Sequence, residues 1–360
     1  TLITNGIEST RYLAVDESRM LADPARYYKG GKPDLQLFDK KLYEVNPDDK
    51  VAIARAAAEE VLGKDERIIS VDSSYSDGEG SSYRLISNGF EGESKSTWFS
   101  VSASVSIKGE GEARPQDYWY DSALFYDKLT KTGIGAKALE RVLRKLGQKK
   151  AKSGKYTMVV DPMNVGNLLS PMLSALYGSA LQQKNSFLMD KLDTKVASDL
   201  FTLRDEPHAI GANGSRYFDN EGVATEPRTV FDKGVLKTYF IDTYNGKKMD
   251  IAPTISAPSR LILTPGDKDL NGLVADIKQG ILVTGFNGGN SNSSTGDFSY
   301  GIEGFLIEDG KLTQPVNEMN VTGNMVTLWN SLVAVGNDPQ PNRSWQIPSL
   351  VFEGVDFSGL

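Results

Sequence analysis

The first clear periodicity along the chain predicts a helix over residues 47–63. Pro47 and two acidic residues mark its start, and strong helix formers then run to Gly63, the order of start and stop signals expected of an α-helix. One stripe of this helix carries the apolar side chains Val51, Ala54, Ala58, Val61 and Leu62. Such a stripe packs on a neighbouring layer, which we expect to be a sheet.

Alternating apolar and polar residues follow this helix and predict strands. From Phe99 to Ile107 every second residue is apolar and every residue between is serine, a period of two with one buried and one hydrated face. Shorter strands are predicted over residues 67–71 and 83–86. Turn signals separate them at residues 76–78 (Ser-Asp-Gly) and 88–89 (Asn-Gly), so the pattern predicts an antiparallel meander.

A second helix is predicted over residues 135–147 and leads into a basic stretch. Its apolar stripe consists of Leu139, Val142, Leu143 and Leu146. Residues 141–155 then hold seven Lys or Arg and no acid. We interpret the stretch as a solvated helix end and a linker, because cations suit a helix C-terminus and no aromatic residues are interleaved as in a nucleic-acid surface. The linker predicts a domain boundary near residue 150.

The second half begins with a predicted strand over residues 156–160 and a buried helix over 166–183, whose apolar residues recur at every fourth position. Beyond residue 200, short apolar runs alternate with Gly, Asn and Asp turns, as in a barrel or a sandwich. The predicted strands cover residues 229–232, 235–241, 260–263, 280–284, 298–307 and 311–315, and a helix follows near 323–332.

The predicted fold class is therefore α+β with two domains. Residues 1–150 would form an N-terminal domain of an antiparallel sheet and helices, with residues 1–46 mostly irregular. Residues 151–360 would form a C-terminal strand-rich barrel or sandwich domain with a buried helix.

Composition excludes several kinds of site. The 360 residues include no cysteine and one histidine, His208, which rules out disulfides, a thiol nucleophile and any zinc site with two histidines. Carboxylates alone could still bind Mg²⁺ or Ca²⁺. The net charge of −7 argues against nucleic acid as a partner, because nucleic-acid-binding proteins need clustered positive charge.

The chain also lacks signs of a membrane or secretory destination. No secretory signal is visible at its start, and the longest uncharged stretch, residues 162–183, carries too many polar residues for a membrane span. The absence of cysteine favours a reducing compartment. We therefore expect a cytoplasmic protein without a membrane partner.

His208 is the one candidate for imidazole chemistry. A catalytic interpretation pairs it with Asp205 or Glu206, but no GxSxG motif supplies a partner nucleophile, so we favour a loop histidine that binds a backbone group. Nearby, Arg216, Asp219 and Glu221 have the spacing of an ion-pair network around a turn, and such networks are usually structural.

The segment 285–304 has the most unusual composition in the chain, with Gly, Asn and Ser in profusion. Its backbone N–H groups could hold a peptide backbone or an anion. The candidate binding residues are Asn287, Gly288, Gly289, Asn290 and Gly296. A mobile hairpin without a ligand has the same composition, so both interpretations stay open.

Three long stretches resemble the TldD/PmbA family, whose members are often called modulators of DNA gyrase. They are STGDFSYGIEGFLIEDGKLTQPVNEMNVTGNM at 294–325, SRYFDNEGVATEPRTVFDKGVLKTYFIDTYNGKKM at 215–249 and RIISVDSSYSDGEGSSYRLISNGFEGE at 67–93. The resemblance covers essentially the whole chain in the family's order. It implies that the chain begins partway into the family's first domain, without a leading strand-rich segment.

The family has two branches, and the resemblance implies which one this chain follows. The TldD branch carries HExxxH on a helix and is a zinc metallopeptidase, whereas the TldE branch, also called PmbA, lacks that motif and partners the first. In NLLSPMLSALYGSAL the histidine positions fall on Ser170 and Ala175 and the glutamate position on Pro171. The further cysteine ligand has no counterpart either, so the chain is similar to the non-zinc branch.

The resemblance thus implies a non-catalytic subunit of a TldD/TldE-type metallopeptidase complex that acts on unfolded polypeptides or peptides. Zinc is expected only in a TldD-like partner, and no cofactor, metal ligand or catalytic residue is expected in this chain. The alternative is a stand-alone peptide-binding or regulatory homodimer. A direct action on gyrase or DNA rests only on the family's historical name, and the charge argues against it.

One expectation concerns the degenerate motif itself. If the helix keeps the family's orientation, Ser170, Pro171 and Ala175 face the cavity where the catalytic branch holds its metal, and the cavity is metal-free and more apolar here. We do not expect carboxylates to recruit a hard cation in its place. The acids Asp205, Asp219 and Glu221 have Arg204, Arg216 and Arg228 nearby in sequence as pairing partners.

Overall fold

The computed structural model describes residues 1–360. Its eight helices are α1 Leu2–Thr10, α2 Pro47–Glu59, α3 Ile134–Leu143, α4 Gly166–Ser174, α5 Gly178–Gln182, α6 Thr243–Met249, α7 Leu270–Ala275 and α8 Met325–Asn330. Its first seven strands are β1 Ile68–Ile86, β2 Phe90–Ile107, β3 Gln116–Ala123, β4 Gly154–Val160, β5 Leu203–Asp205, β6 Arg228–Asp232 and β7 Val235–Leu236. The others are β8 Leu261–Leu263, β9 Gln279–Ser291, β10 Asp297–Glu308, β11 Lys311–Asn324, β12 Leu332–Val335, β13 Trp345–Gln346 and β14 Leu350–Ser358.

An antiparallel sheet of β1, β2 and β3 forms the first layer and confirms the predicted meander. The alternation in β2 is real: Val101, Ala103 and Val105 are buried, and the serines between them lie on the other face. Helices α2 and α3 cover the buried face, and together they enclose a cluster of 13 buried apolar residues.

The prediction of two short strands with a turn at residues 76–78 is wrong, because β1 runs unbroken through them. Gly78 lies opposite Trp98 in the ladder, and a Cβ on this glycine would lie 3.0 Å from the indole. Asp77 forms an ion pair with Lys50 of α2 at 2.6 Å. The Asp-Gly pair therefore continues the strand, since Asp77 contacts α2 and Gly78 contacts Trp98, and a free turn would lack both contacts. The turn at 88–89 is confirmed.

The apolar stripe predicted for α2 is wrong in part. Ala57 and Val61 are fully buried, whereas Val51 and Leu62 are more than half exposed. A different side of the helix is buried because α3 crosses it closely, with Gly135 against the carbonyl oxygen of Ala57. In α3 the predicted buried positions Leu139 and Val142 are confirmed.

A closed barrel forms the centre of the second half and confirms the predicted barrel. Its strands follow the order β11, β10, β9, β4 and β14, and β14 pairs back onto β11 through residues 320–322 and 356–358. Strand β12 extends the sheet beside β14. Several strands are longer than predicted, since β9 and β11 continue well beyond residues 280–284 and 311–315.

A second sheet has the order β13, β8, β5, β6 and β7. Here the strand predicted over 235–241 is only two residues long. The Lys237 N–H still donates to the Val230 carbonyl, but the chain then leaves the sheet, and the Phe240 N–H donates to the Leu176 carbonyl. The predicted helix near 323–332 is the shorter α8.

The single helix predicted over 166–183 is broken into α4 and α5. Tyr177 is extended, with φ −73° and ψ 141°, and the N–H of Gly178 donates to the Phe240 carbonyl at 2.7 Å. A bridge to the neighbouring chain segment thus interrupts the helix where the apolar periodicity continues. Pro171 lies inside α4 rather than at its start, and the carbonyl that it leaves unpaired belongs to exposed Asn167, where water can bind it.

The basic stretch 141–155 is only partly a solvated linker. Arg141 and Lys145 both contact the buried carboxylate of Asp117, each at 3.2 Å, and Lys145 also binds Glu303 of the barrel at 2.7 Å. The remaining cations are exposed. The stretch is therefore tied to both halves by ion pairs, which the pattern of charge did not indicate.

Two further features complete the fold. A large cluster of 43 buried residues lies within the second half but also includes Ala22, Tyr27 and Phe90 from the first, and the predicted division near residue 150 stays a prediction. Residues 1–46, predicted to be mostly irregular, contain α1, none of whose residues is buried. None of the helices combines the length and apolar character needed to cross a membrane.

Candidate functional site

Helix α4 presents a polar face to solvent and an apolar face to the core. Asn167, Ser170 and Ser174 are exposed, whereas its leucines and Met172 are buried. Of the three positions assigned to the degenerate motif, Ser170 is exposed, Pro171 is half-buried and Ala175 is fully buried in the large core cluster. They therefore do not converge on one surface, because Ala175 follows the last turn of α4, where the chain bends into the core.

The donor set at this helix does not fit a zinc ion. Zinc takes at least three protein ligands from Cys, His or carboxylate side chains. Ser170 offers one hydroxyl, and neither Pro171 nor Ala175 offers a side-chain donor atom. Across the chain, no three His, Asp or Glu side chains lie close enough together to hold a metal ion.

The Gly/Asn-rich segment forms part of the barrel, as the end of β9, a tight turn and the start of β10. Asn287, Gly288, Gly289 and Asn290 all lie in β9 and are exposed. Gly296 lies in the turn with φ +81°, where a Cβ would lie 3.0 Å from the Phe187 ring. The segment is thus a hairpin of the barrel.

One edge of this hairpin has no partner strand. Strand β4 pairs with β9 only from Gly280 to Val283, whereas β10 pairs with β9 along its whole length. From Thr284 to Ser291 the backbone of β9 therefore faces a neighbouring strand on one side only. We call this stretch, residues 284–291, the free edge of β9. Such an edge is a template for another extended chain.

The segment around α4 holds the free edge at both ends. At the start, the Asn164 side chain donates to the Thr284 carbonyl at 2.8 Å. At the tip, the Asn185 side chain accepts from Ser293 at 3.0 Å, and the Phe187 N–H donates to the Ser293 carbonyl at 3.0 Å. Since Asn164 precedes α4 and Asn185 follows α5, the segment that contains both helices contacts the start of the free edge and the turn beyond its end.

Asp161 supports this arrangement and was not found from the sequence. It is 4% exposed at the end of β4, and its carboxylate accepts from the backbone and side-chain N–H groups of Asn164, at 3.0 and 2.7 Å. Burial raises the pKa of the Asp161 carboxyl group. The signal was an Asp directly after a buried strand with an Asn three residues on, which is the spacing of a capping turn.

His208 does not form the pair with Asp205 or Glu206 that a catalytic interpretation requires. Its Nε2 lies 3.0 Å from the Thr225 hydroxyl, while Asp205 accepts two backbone N–H groups and Glu206 binds Arg204 at 2.7 Å. Burial lowers the pKa of the His208 imidazole and raises that of the Asp205 carboxyl. A structural role is favoured, with Thr225 as its partner.

The predicted ion-pair network of Arg216, Asp219 and Glu221 is also wrong. Arg216 donates to the carbonyl of Ala257 at 2.8 Å, and Asp219 accepts only from backbone N–H groups. Glu221 accepts from Thr243. Each charged side chain bonds backbone N–H or carbonyl groups of an irregular segment, because no neighbouring strand is available to pair with those backbone groups. Asp205 likewise has no ion pair with a neighbouring arginine, because its carboxylate accepts the backbone N–H groups of Ser259 and Arg260.

The chain is similar to known proteins along nearly its whole length. Residues 40–146 match the PmbA/TldA metallopeptidase central domain, and residues 153–359 match the PmbA/TldA metallopeptidase C-terminal domain. The "Metalloprotease PmbA homolog" of Haemophilus influenzae is 29% identical over 369 residues, which cover 99% of this chain and 80% of the relative.

Two solved structures are similar over nearly the whole chain. A protein of Bacteroides thetaiotaomicron, described as a proposed modulator of DNA gyrase, has 73% identity and a TM-score of 0.99, covering 100% of this chain and 82% of that one. TldE of Thermococcus kodakarensis has 22% identity and a TM-score of 0.81, covering 99% of this chain and 84% of that one. The second likeness bears on the fold alone.

Proposed function

The chain belongs to the PmbA/TldD family of metallopeptidases, and from this membership we propose that it is the non-catalytic subunit of a proteolytic complex. In this proposal the chain holds an extended polypeptide, and a TldD-like partner carries the zinc and performs the hydrolysis. The complex acts on unfolded polypeptides or peptides in the cytoplasm.

The observation that carries the proposal is the free edge of β9, which has a partner strand on one side only. An extended peptide added to a sheet edge is bound through its backbone, so the edge accepts many sequences, as an unfolded substrate requires. Gly288 and Gly289 have φ of +75° and +94°, so the extended backbone of the edge is interrupted at these two residues. The hairpin itself is held at both ends by Asn164 and Asn185, so little ordering is needed on binding.

The donor set supports a non-catalytic role. Where the catalytic branch has two histidines and a glutamate, this chain has Ser170, Pro171 and Ala175, which offer neither zinc ligands nor a general base. The single histidine, His208, contacts Thr225 instead. Zinc chemistry is therefore assigned to the partner.

Hydrolysis and metal content test the assignment of roles. The chain alone, its TldD-like counterpart alone and the two mixed would be dialysed, analysed for zinc and assayed on a reduced and alkylated protein. We expect stoichiometric zinc only when the counterpart is present, and turnover to be highest in the mixture. Stoichiometric zinc with turnover in the isolated chain would overturn the proposal.

Size-exclusion chromatography of the same mixture separates this proposal from the alternative. Co-elution with the counterpart supports the complex. A chain that remains a homodimer beside the counterpart and still binds the unfolded protein would instead be the stand-alone peptide-binding or regulatory protein.

Hydrogen–deuterium exchange tests where the polypeptide binds. With the reduced and alkylated protein bound, we expect slower exchange of the backbone amides of residues 284–291. The edge strand β12, residues 332–335, belongs to the same sheet and serves as the matched control, whose exchange should not change. Equal protection of both edges, or of neither, would contradict binding at the free edge of β9.

A further inference from the structure

A cleft of about 660 Å³ lies away from the free edge of β9, where the far end of the β1–β2 hairpin meets the second half of the chain. Three segments form its walls: residues 28–38, the facing hairpin residues 82–84 and 93–95, and the loop 215–220. This volume suffices for two or three residues of a peptide. Nothing in the proposed function so far uses it.

One wall of the cleft is a fixed aromatic surface. The rings of Tyr28 and Tyr217 are stacked, with centroids 5.1 Å apart and planes 11° from parallel. The centroid of the Phe218 ring lies 6.1 Å from that of Tyr28. The Tyr217 hydroxyl donates to the carbonyl of Pro33 at 2.5 Å, which fixes the ring. Rings held in this way present a flat apolar surface at little cost in conformational entropy.

Most charged groups around the cleft already have partners. Lys32 lies 3.6 Å from Glu226, and Lys95 lies 3.2 Å from Glu79. Arg216 donates to backbone carbonyls, and Asp219 accepts backbone N–H groups. These groups stabilise the walls and are not free to bind a ligand.

Arg84 is the one cation of the cleft without a partner. It is half-buried in the hairpin wall and has neither an ion pair nor a side-chain hydrogen bond. The residue directly opposite it in the ladder is Gly92, which has no side chain to pair with the guanidinium. A Cβ on Gly92 would lie 3.0 Å from the Phe218 ring, which places the aromatic wall next to this strand pair. The unpaired guanidinium of Arg84 therefore lies beside the aromatic wall of the cleft.

We propose that this cleft binds a carboxylate of the peptide substrate through Arg84, with the neighbouring side chain of the peptide against the aromatic wall. The planar guanidinium matches a carboxylate with two parallel hydrogen bonds. The carboxylate belongs either to the C-terminus of the peptide or to an Asp or Glu side chain. The proposal rests on peptide binding as the proposed function and adds a second contact remote from the free edge.

The charges of the cleft limit its ligand to a single negative charge. Asp34 and Glu93 also line it, and both would repel a phosphate or a polyanion more strongly than a carboxylate. With one unpaired cation and two nearby acids, the cleft suits a carboxylate and disfavours nucleic acid.

Fluorescence anisotropy with labelled hexapeptides tests the proposal and distinguishes the two sources. The probes share one neutral sequence with an aromatic residue and end in a free carboxylate, in an amide, or in an amide with one Glu side chain. We expect the neutral amidated peptide to bind about tenfold more weakly than a peptide with a carboxylate, as for the loss of one charge-assisted hydrogen-bonded pair. Tight binding of only one carboxylate probe identifies the source.

Arg84→Gln should remove this discrimination, so that all three probes bind equally weakly. The matched control is Arg55→Gln, which changes an exposed arginine of α2 that also lacks a partner, and it should keep the wild-type order of affinities. Unchanged discrimination in Arg84→Gln, with an unchanged Tm, would overturn the proposal. The exchange experiment at residues 284–291 is independent, so the cleft can fail while the free edge stands, and the reverse.

Discussion

At the scale of single residues, His208 is a half-buried imidazole whose contacts are with uncharged groups. Its imidazole contacts the Thr225 hydroxyl and the Tyr217 ring, whose centroid lies 5.0 Å away, and it has no ion pair with a carboxylate. Burial, aided by the charge of Lys32, lowers its pKa below the ordinary value of 6.5. The folded protein therefore binds this proton less readily than the unfolded chain does.

This gives a prediction for the pH dependence of stability. Because the folded-state pKa is lowered, the neutral imidazole contributes stability that is complete above about pH 6.5 and is lost as the pH falls below that value. His208→Gln keeps a group that can bind Thr225 but removes the titration. The difference in urea midpoint between the wild type and this variant should therefore shift against the wild type from pH 7 to pH 5.

The sign of that shift is the critical observation. A difference that does not change with pH would mean that His208 has the same pKa in the folded and unfolded states. A change in favour of the wild type at low pH would mean that an unidentified anion stabilises the imidazolium. His208→Asn, whose side chain is too short to reach Thr225 in the same way, reports separately on the hydrogen bond.

Some residue roles could be predicted from the sequence and others could not. Alternation alone placed Val101, Ala103 and Val105 in the core, because a strand with one buried face has only one register that buries them. The roles of Asp161 and Arg84 depend on which segments meet in space. Charge spacing likewise predicted ion pairs for Arg216 and Asp219, whereas both satisfy backbone groups of irregular segments that no local pattern reveals.

At the scale of elements, helices α2 and α3 cross in close contact. Both helices pack on one face of the three-stranded sheet, and Gly135 lies where they touch. A Cβ at this position would lie 1.9 Å from the Ala57 carbonyl oxygen and 2.9 Å from a methyl carbon of Val61. The crossing distance therefore requires glycine here.

Gly135→Ala is expected to destabilise the protein by about 1–3 kcal/mol, the usual cost of overpacking a close contact. The larger figure applies if the backbone of α2 cannot shift. Urea unfolding followed by tryptophan fluorescence gives the change in midpoint. Gly166→Ala, in α4 with nothing within 4 Å of its Cβ, is the control and should be neutral or slightly stabilising. Equal stability of the two variants would mean that the helices are farther apart than described.

Helix and strand lengths were the least predictable feature of the elements. The apolar period continues without interruption from α4 into α5, yet the bond from Gly178 to Phe240 ends the helix. Conversely, the Asp-Gly pair in β1 has the composition of a turn, but Trp98 and Lys50 stabilise the extended chain. In both cases a contact with a distant segment outweighs the local preference.

At the scale of the whole molecule, the barrel and the three-stranded sheet are joined by a chain of charges. Asp117 of β3 contacts Arg141 and Lys145, and Lys145 contacts Glu303 of β10. Exposure of these side chains ranges from 6% for Asp117 to 16% for Glu303. Lys145 also donates to the Gln116 carbonyl at 3.0 Å. It is thus the one cation that contacts both Asp117 and Glu303.

Lys145→Met should therefore loosen the junction as well as lower the overall stability. Loss of one partner leaves the partly buried Glu303 without a cation, while Asp117 keeps Arg141, and an unsatisfied group of this kind costs about 1–3 kcal/mol. Lys152→Met, at an exposed position without an ion pair, should change stability by less than about 0.5 kcal/mol. The thermal midpoint gives the overall effect. Limited proteolysis between residues 141 and 155 reports on the junction itself, where the Lys145 variant should be cut faster.

A double-mutant cycle decides whether the ion pair itself is responsible. Glu303→Gln removes the charge that Lys145→Met leaves unpaired, so the double variant should be more stable than the sum of the two single changes predicts. Strict additivity would mean that Lys145 acts through packing of its aliphatic part or through Gln116. Positive coupling with restored resistance to proteolysis would instead locate the connection between sheet and barrel in this pair. The free edge of β9 belongs to the same strand pair as Glu303, so a loosened junction should also raise amide exchange at residues 284–291.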